Sequence, residues 1–274
     1  MTAILAEHSD DLIIEAMVAN NNALVEIFRK APETETSLDG DVQWFATGVP
    51  FPLFNGVMGT RLEDENADRK IRAVLDIFDD RELPMIWPVT PLSRPLDLGQ
   101  RLEAQGLKFG GDSPSMAVDL RALPTAMDEA AGIDIHLVKN DSDMKIFCDV
   151  LGSIFRFPDL VNKAFFKFLM IAGFGQDAKI KNYMGLENGE VVAVSSVIFG
   201  GGVAGIYNVG TIPEARRKGY GRAITLAPLL EARDLGYQHG VLQSTRMGFD
   251  VYTNLGFEVY CTFSRYLWTP RSMS

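Results

Sequence analysis

The stretch Val209-Gly-Thr-Ile-Pro-Glu-Ala-Arg-Arg-Lys-Gly-Tyr-Gly-Arg222 decides the fold. Residues up to Thr211 read as the end of a strand, Pro213 turns the chain, and a helical pattern starts near Gly219. Between strand and helix stand two glycines, Gly219 and Gly221, among the cations Arg216, Arg217, Lys218 and Arg222. Glycines let backbone N–H groups crowd toward a ligand, and a helix N-terminus adds partial positive charge. Such a turn suits a diphosphate. Each charge-assisted hydrogen bond contributes about 1.5–3 kcal/mol, so a handful would hold a nucleotide-bearing cofactor.

Upstream of the turn, three strands read as a meander. Residues 180–186 turn at Glu187-Asn188-Gly189-Glu190, whose Asn-Gly pair fits a two-residue hairpin, and 191–199 turn at Gly200-Gly201-Gly202 into 203–211. Before them the pattern predicts an extended piece at 133–138 and a helix over 142–155. Pro158 opens another helix, where its missing N–H costs nothing, with Val161, Phe165, Phe168 and Leu169 on one face. Downstream come a helix over 219–235, expected to kink at Pro228, a strand at 240–243, a helix at 249–255 and a strand at 257–268. This order is an α/β plan with a mixed sheet.

The first half opens with a helix capped by Ser9, with Ile13, Ala16, Met17, Leu24, Ile27 and Phe28 on a 3.6 period, and Pro32 stops it. Strands at 41–47 and 53–60 lead to a charged helix over 64–80, whose stripe is Ile71, Val74, Leu75 and Phe78. A strand at 85–89, a helix over 96–105 ended by Gly106 and a strand at 115–120 complete this half. Residues 123–132 read as the connection. Leu102-Glu-Ala-Gln-Gly106-Leu107-Lys108 echoes Tyr252-Thr-Asn-Leu-Gly256-Phe257-Glu258, each a helix end with Gly before a strand. The echo points to a repeated fold.

At 274 residues and 47% hydrophobic, the chain is long enough for two cores. Residues 1–130 carry 23 acidic and 11 basic side chains, and residues 131–274 carry 13 and 15, giving a net charge of −10. A nucleic-acid partner is not expected, because phosphate binding needs a broad basic field. No apolar run reaches the ~18–20 residues of a membrane span, and the N-terminal 20 residues, acidic and without Lys or Arg, do not read as a secretory signal. Two cysteines, Cys148 and Cys261, are too few for a disulfide scaffold and lack metal-ligand spacing, so a cytoplasmic protein is expected.

Spacing narrows the cofactor. A dinucleotide fingerprint needs a small residue where Ile224 stands, and a P-loop needs Gly-Lys-Ser/Thr, which is absent. Arg216-x-x-Gly219-x-Gly221 resembles instead the coenzyme A loop of the GNAT superfamily of N-acetyltransferases, placed as there after a third meander strand and before a helix. Leu242-Gln-Ser-Thr-Arg-Met-Gly-Phe-Asp-Val-Tyr252-Thr-Asn-Leu-Gly256-Phe257 resembles the second signature of that family, a strand, a short helix and Y-x-x-L-G-F. The resemblance covers most of 133–268. The helix around Arg69-Lys-Ile-Arg72 in the first half has no glycine, so that half looks like a worn copy not expected to bind the cofactor.

The resemblance implies an α/β fold with a mixed central sheet of GNAT type in the C-terminal half, packed against a degenerate GNAT-like N-terminal half. The implied domains are 1–125 and 131–274, the second catalytic. It implies acetyl-CoA as co-substrate, no metal, and acetyl transfer to the amine of a small molecule or peptide by direct attack in a ternary complex. The strand before the loop would splay from its neighbour, Val209 N–H would polarise the acetyl carbonyl, and Gly210 and Thr211 would meet the pantetheine arm. Arg216, Arg217, Lys218, Gly219, Tyr220, Gly221 and Arg222 would hold the diphosphate. Tyr252 would protonate the leaving thiolate; the bland alternative is packing, which Phe would serve equally. Residues 204–209 hold no carboxylate, so no base is assigned, and Tyr207, Asn208, a water chain or binding of the neutral amine all stay open.

Two other functions fit part of the pattern. A non-catalytic acyl-CoA-binding protein would keep the loop and lose the acceptor site. An aminoacyl-tRNA-dependent ligase would share the tandem fold, but the acidic charge and the lack of a long basic insertion argue against tRNA. His8, His136 and His239 share no spacing and read as surface or loop residues, whereas Cys148 and Cys261 read as core. Phe165, Phe166, Phe168 and Phe174 read as helix packing, while the resemblance implies that residues 155–168 border an acceptor cleft. Trp44, Phe45, Phe54 and Trp87 read as core, with a place facing that cleft as the alternative.

Overall fold

The computed structural model describes residues 4–6, 9–38, 40–124, 132–175 and 178–273; His8 and most of the expected connection, residues 125–131, lie outside the described residues. In chain order the first elements are α1 (Asp10–Ala23), α2 (Val25–Phe28), β1 (Glu35–Ser37), β2 (Val42–Ala46), β3 (Asn55–Thr60), α3 (Ala67–Asp80), β4 (Met85–Val89), α4 (Leu98–Ala104) and β5 (Lys108–Asp119). There follow β6 (Asp134–Leu137), α5 (Asp141–Phe155), α6 (Asp159–Ala172), β7 (Ile180–Glu187), β8 (Glu190–Gly200) and β9 (Val203–Thr211). The chain then forms α7 (Tyr220–Asp234), β10 (His239–Gln243), α8 (Phe249–Thr253) and β11 (Glu258–Trp268).

These elements gather into two compact units that depart from sequence order. One holds Met1–Ile27 with Ser115–Tyr260, the other Phe28–Pro114 with Cys261–Ser274. The sequence places α1 with the first half and 257–268 with the second, and the compact units part elsewhere. Asn20 supplies a physical reason for α1. It is fully buried, and its Nδ2 donates to the carbonyls of Ile198 (2.9 Å), Gly200 (3.0 Å) and Val203 (3.3 Å) around the β8–β9 turn. Its Oδ1 accepts from the Tyr207 hydroxyl at 2.8 Å. A β-carbon at residue 205 would run into this amide, so Gly205 is what lets the helix lie so close.

In the first unit, β6, β7, β8 and β9 form an antiparallel meander, β10 joins β9 in parallel, and the Ser115–Asp119 end of β5 pairs antiparallel with β10. The turn between β7 and β8 puts Asn188 at φ 53° and Gly189 at φ 84°, the left-handed pair that the Asn-Gly signal requires. Alternation along β8 sorts its side chains. Ala193 and Val197 join a core with Ile224 and Leu229 of α7, whereas Val194 and Ile198 join one with Phe147 and Leu151 of α5. Each fully buried Val, Ile, Leu or Phe among them contributes about 1.5–3 kcal/mol.

In the second unit, β1, β2 and β3 are antiparallel, β3 meets β4 in parallel, and Cys261–Trp268 carries β11 antiparallel along β4. Its core holds Phe78, Trp87 and Leu102, with Trp87 Nε1 donating to Thr60 Oγ1 at 2.9 Å. The strand at 35–37 was not expected, and β5 begins at Lys108, ahead of the expected 115, because Gly106 ends α4 directly before it.

Three residue-level expectations change. His239 is buried in β10 and is no surface histidine, since it stands in the register opposite Asp119. Cys261 is half-exposed, whereas Cys148 is core as expected, its thiol pushed up to about 12 by burial. Phe45, Phe54 and Trp87 are buried, and Trp44 is half-buried against Phe78.

Candidate functional site

The site begins where β9 leaves its neighbour. Parallel pairing of β9 with β10 covers Gly240↔Ala204 and Val241↔Gly205; beyond that, β9 runs on to Thr211 without a partner on that side among the described residues. On its other side β9 stays with β8 but slips register. Val194 faces Gly210 and Ser196 faces Tyr207, so Asn208 and Val209 together oppose Ser195. This is a β-bulge, and Asn208 takes the left-handed conformation it needs, φ 54°.

The bulge decides which side chains face where. Ile206 packs into the α7 core and Tyr207 against the α5 core, and after the bulge Val209 packs on the α7 core again. Gly210 then meets α5, where a β-carbon would lie 2.7 Å from Ile154 Cγ2. The missing β-carbon of Gly210 thus lets α5 lie close to β9. Asn208 Nδ2 donates to Ser196 Oγ at 3.0 Å, and that hydroxyl donates to Asn182 Oδ1 at 2.7 Å. Serine and asparagine at buried sites of β7 and β8 fix the bulge from below.

The turn follows directly. Ile212 N–H holds the Val192 carbonyl at 2.9 Å, a 3₁₀ turn spans Pro213–Ala215, and Arg216 Nε donates back to the Thr211 carbonyl at 3.2 Å. Arg217 at φ 62° and Gly219 at φ 86° swing the chain into α7. Its first internal bond runs from Ala223 N–H to the Gly219 carbonyl (3.1 Å), so the N–H groups of Tyr220, Gly221 and Arg222 have no acceptor in the helix. Gly219 brings no capping side chain, and the space above Gly221 is open, with Thr211 Oγ1 the nearest atom to a β-carbon there at 3.9 Å.

The cations of the turn are not equivalent. Lys218 Nζ donates to both oxygens of Glu187, at 2.8 and 3.0 Å, and the Tyr220 hydroxyl donates to the same carboxylate at 2.6 Å. The bond from Lys218, then that from Tyr220, holds the Glu187 carboxyl below its ordinary pKa; the bond to Glu187 raises both Lys218 and Tyr220. Arg217 and Arg222 make no ion pair among the described residues. Sequence reasoning saw Glu187 as a turn residue only. The signal available was a carboxylate ending the strand that leads into the meander, in a chain whose cations cluster downstream.

Tyr252 lies on α8, reached from β10 by a short loop. Its ring is buried in the α7 core and meets Phe257 edge-on at 6.0 Å. A β-carbon at residue 248 would come within 2.7 Å of this ring, so Gly248 gives it its seat. The hydroxyl makes no hydrogen bond to a described residue, and burial pushes the phenol up to about 12. Tyr207 is committed to Asn20, and burial raises its pKa, which removes it from the candidate bases. Among the described residues no group of three or more His, Cys, Asp or Glu side chains is arranged to hold a metal, and no helix is long and apolar enough to cross a membrane.

No family model matches the chain, and no curated protein matches it by sequence. Solved structures do match. A GCN5-related N-acetyltransferase from Kribbella flavida aligns over 90% of this chain and 94% of its own with TM-score 0.70 at 16% identity. A tandem GNAT protein from the clavulanic acid biosynthesis pathway aligns over 97% of this chain and 96% of its own, with TM-score 0.58 at 12% identity. A GCN5-related N-acetyltransferase from Sphaerobacter thermophilus aligns over 76% of this chain and 69% of its own, with TM-score 0.59 at 16% identity. The fold is that of the GNAT N-acetyltransferases, an α/β fold with a mixed sheet.

Proposed function

We propose that this GNAT fold carries an acetyltransferase that moves an acetyl group from acetyl-CoA to the amine of a small molecule or peptide, by direct attack in a ternary complex. The observation that carries the reading is the parting of β9 from β10 after Gly205 and Val241, which leaves the strand edge beside the bulge at Asn208 and Val209 unpaired. An extended amide-bearing arm fits such an edge, because it can supply the hydrogen bonds a further strand would have made. The turn beyond it offers what a diphosphate needs: three helix N–H groups, open space over Gly221, and the cations Arg217 and Arg222, which pair with no carboxylate among the described residues.

In this reading Val209 N–H donates to the acetyl oxygen as negative charge develops there, Gly210 and Thr211 line the arm, and Arg216 braces the turn through the Thr211 carbonyl. Tyr252, kept protonated by burial, donates to the departing sulfur. No carboxylate stands on β9, and deprotonating an alkylamine at pH 7 costs about 4–5 kcal/mol, which Asn208, a water chain or entry of the neutral amine would have to meet. In this reading the catalytic residues all come from the 131–274 half, and the 1–125 half is a degenerate copy that binds no cofactor. The protein works in the cytoplasm, and the net charge of −10 disfavours a nucleic-acid partner.

The test is calorimetric titration with acetyl-CoA followed by an acetylation screen over polyamines, amino acids, aminoglycosides and peptides. Micromolar binding and one acetylated amine are the expected results; a chain that does not bind acetyl-CoA refutes the reading. The carboxylate-free strand and the commitment of Tyr207 to Asn20 favour one alternative, a non-catalytic acyl-CoA-binding protein. Tight binding without any acetylated amine would select it.

A further inference from the structure

We propose that Glu187 is the positioning residue of the glycine turn, and that Lys218 is its strut rather than a ligand of the diphosphate; this rests on the reading that the turn holds a diphosphate. The Glu187 carboxylate, at the end of β7, accepts from Lys218 Nζ and from the Tyr220 hydroxyl. The two donors flank Gly219, the residue whose φ of 86° sets the entry into α7. Arg217 is left-handed as well, at φ 62°. Left-handed backbone at two of three consecutive residues is a conformation that a free loop samples little. An anchor on both sides of Gly219 keeps it populated before any ligand arrives, so a ligand meets a turn already ordered.

The same geometry sets Lys218 apart from the arginines. Its ammonium reaches both carboxylate oxygens and lies 5.7 Å from the centre of the Tyr220 ring, so its charge is already matched. The side chains of Glu187 and Lys218 are 26% and 47% exposed, and an ion pair that open to water weighs little as charge alone. Its effect lies in holding the turn. The sign of one substitution separates the two possibilities. If Glu187 merely competed with a diphosphate for Lys218, Glu187→Gln would free a cation and tighten binding. As the anchor of the turn, its loss loosens the N–H groups of Tyr220, Gly221 and Arg222 and weakens binding.

The experiment titrates the full chain with acetyl-CoA and with acetyl-pantetheine, which lacks the diphosphate. Glu187→Gln should weaken acetyl-CoA binding about tenfold and leave acetyl-pantetheine binding unchanged. Lys218→Met should do the same, and the double variant should be no worse than either single one, as expected of a single clamp. Thermal melts followed by circular dichroism confirm that both exposed-site variants fold. A Glu187→Gln chain that binds acetyl-CoA as tightly as the wild type or more tightly overturns the proposal, as do effects of the two substitutions that simply add. A wild-type chain that binds acetyl-CoA no better than acetyl-pantetheine overturns the diphosphate reading and the clamp with it.

Discussion

Ser195 Oγ lies 2.7 Å from the carbonyl oxygen of Ile224, four residues before Pro228. Proline has no N–H, so in α7 the Ile224 carbonyl lacks its helical donor, and the β8 serine supplies one from across the core. The bond that Pro228 cannot give is thus made from strand to helix. Ser195 is also the residue opposite the bulge at Asn208 and Val209, so the same side chain ties the helix of the turn to the strand of the site.

Ser195→Ala should therefore destabilise the chain by about 1–3 kcal/mol, the cost of leaving a buried carbonyl unpaired, measured by urea unfolding. Pro228→Ala returns the missing N–H and should recover most of that loss in the Ser195→Ala background. Two substitutions whose effects are independent would contradict the exchange of donors.

Asn20 should be among the most sensitive positions of the first unit. Asn20→Ala leaves the Ile198, Gly200 and Val203 carbonyls without that donor and the Tyr207 hydroxyl without its acceptor, at a cost of about 3 kcal/mol or more. Tyr207→Phe removes only its own bond and should cost about 1 kcal/mol. Equal losses from both would show that the amide's bonds to the turn carry no weight.

Asn20 also marks where the sequence stops being legible. It stands in a run of three asparagines at the end of a helix, and nothing local reveals that the turn meeting it lies 178 residues further along. Local signals were legible for a physical reason: they close their own bonds. Gly106 at φ 98° and Gly256 at φ 92° end α4 and α8 with matching bonds, from Leu107 N–H to the Leu102 carbonyl and from Phe257 N–H to the Tyr252 carbonyl, so the sequence echo is also a structural one. The turn of Arg216 to Arg222 was visible for the same reason. The bulge at Asn208, the clamp at Glu187 and the exchange of chain segments between the units each depend on residues distant in sequence, and no period or spacing announces them.

Gly221 separates space from charge. A β-carbon there meets only Thr211 Oγ1 at 3.9 Å, so Gly221→Ala should fold with unchanged stability and bind acetyl-CoA within a few-fold of wild type. Gly221→Glu places a carboxylate beside the helix N–H groups and should abolish binding by calorimetry. Gly219→Ala should instead lose stability, about 1 kcal/mol, because its φ of 86° is strained for any residue with a β-carbon. Undiminished affinity in Gly221→Glu would move the diphosphate elsewhere.

Acid should reveal the pairing of β7 with α7. Desolvation pulls the Glu231 carboxyl up, but the bonds from Lys181 Nζ (2.6 Å) and the Tyr183 hydroxyl together outweigh it and leave its pKa below the ordinary value. A carboxylate depressed in the fold stabilises it above its unfolded pKa, about 4.3, and that contribution fades as pH falls through the folded value. Melting temperatures of wild type and Glu231→Gln should differ most at neutral pH and converge below pH ~4. A constant gap across that range would mean that the carboxylate's charge is not what the buried Lys181 requires.

Tyr252→Phe tests catalysis itself. With its pKa at about 12, the phenol is protonated at every physiological pH, and full proton transfer to a thiolate of ordinary pKa, about 8.5, is uphill by roughly 4–5 kcal/mol. Its help must therefore come as a hydrogen bond that strengthens while charge builds on sulfur, an interaction made in the transition state and barely in the ground state. Tyr252→Phe should lower kcat ten- to a hundredfold with acetyl-CoA affinity unchanged, since the ring keeps its contact with Phe257 and its seat over Gly248. The defect should shrink with thioesters of more acidic thiols, which need less stabilisation as they leave. Until an amine is identified, slow hydrolysis of acetyl-CoA serves as the assay. Full activity in the Phe variant would make Tyr252 a packing residue, and a defect that does not change with thiol acidity would place its hydroxyl away from the sulfur.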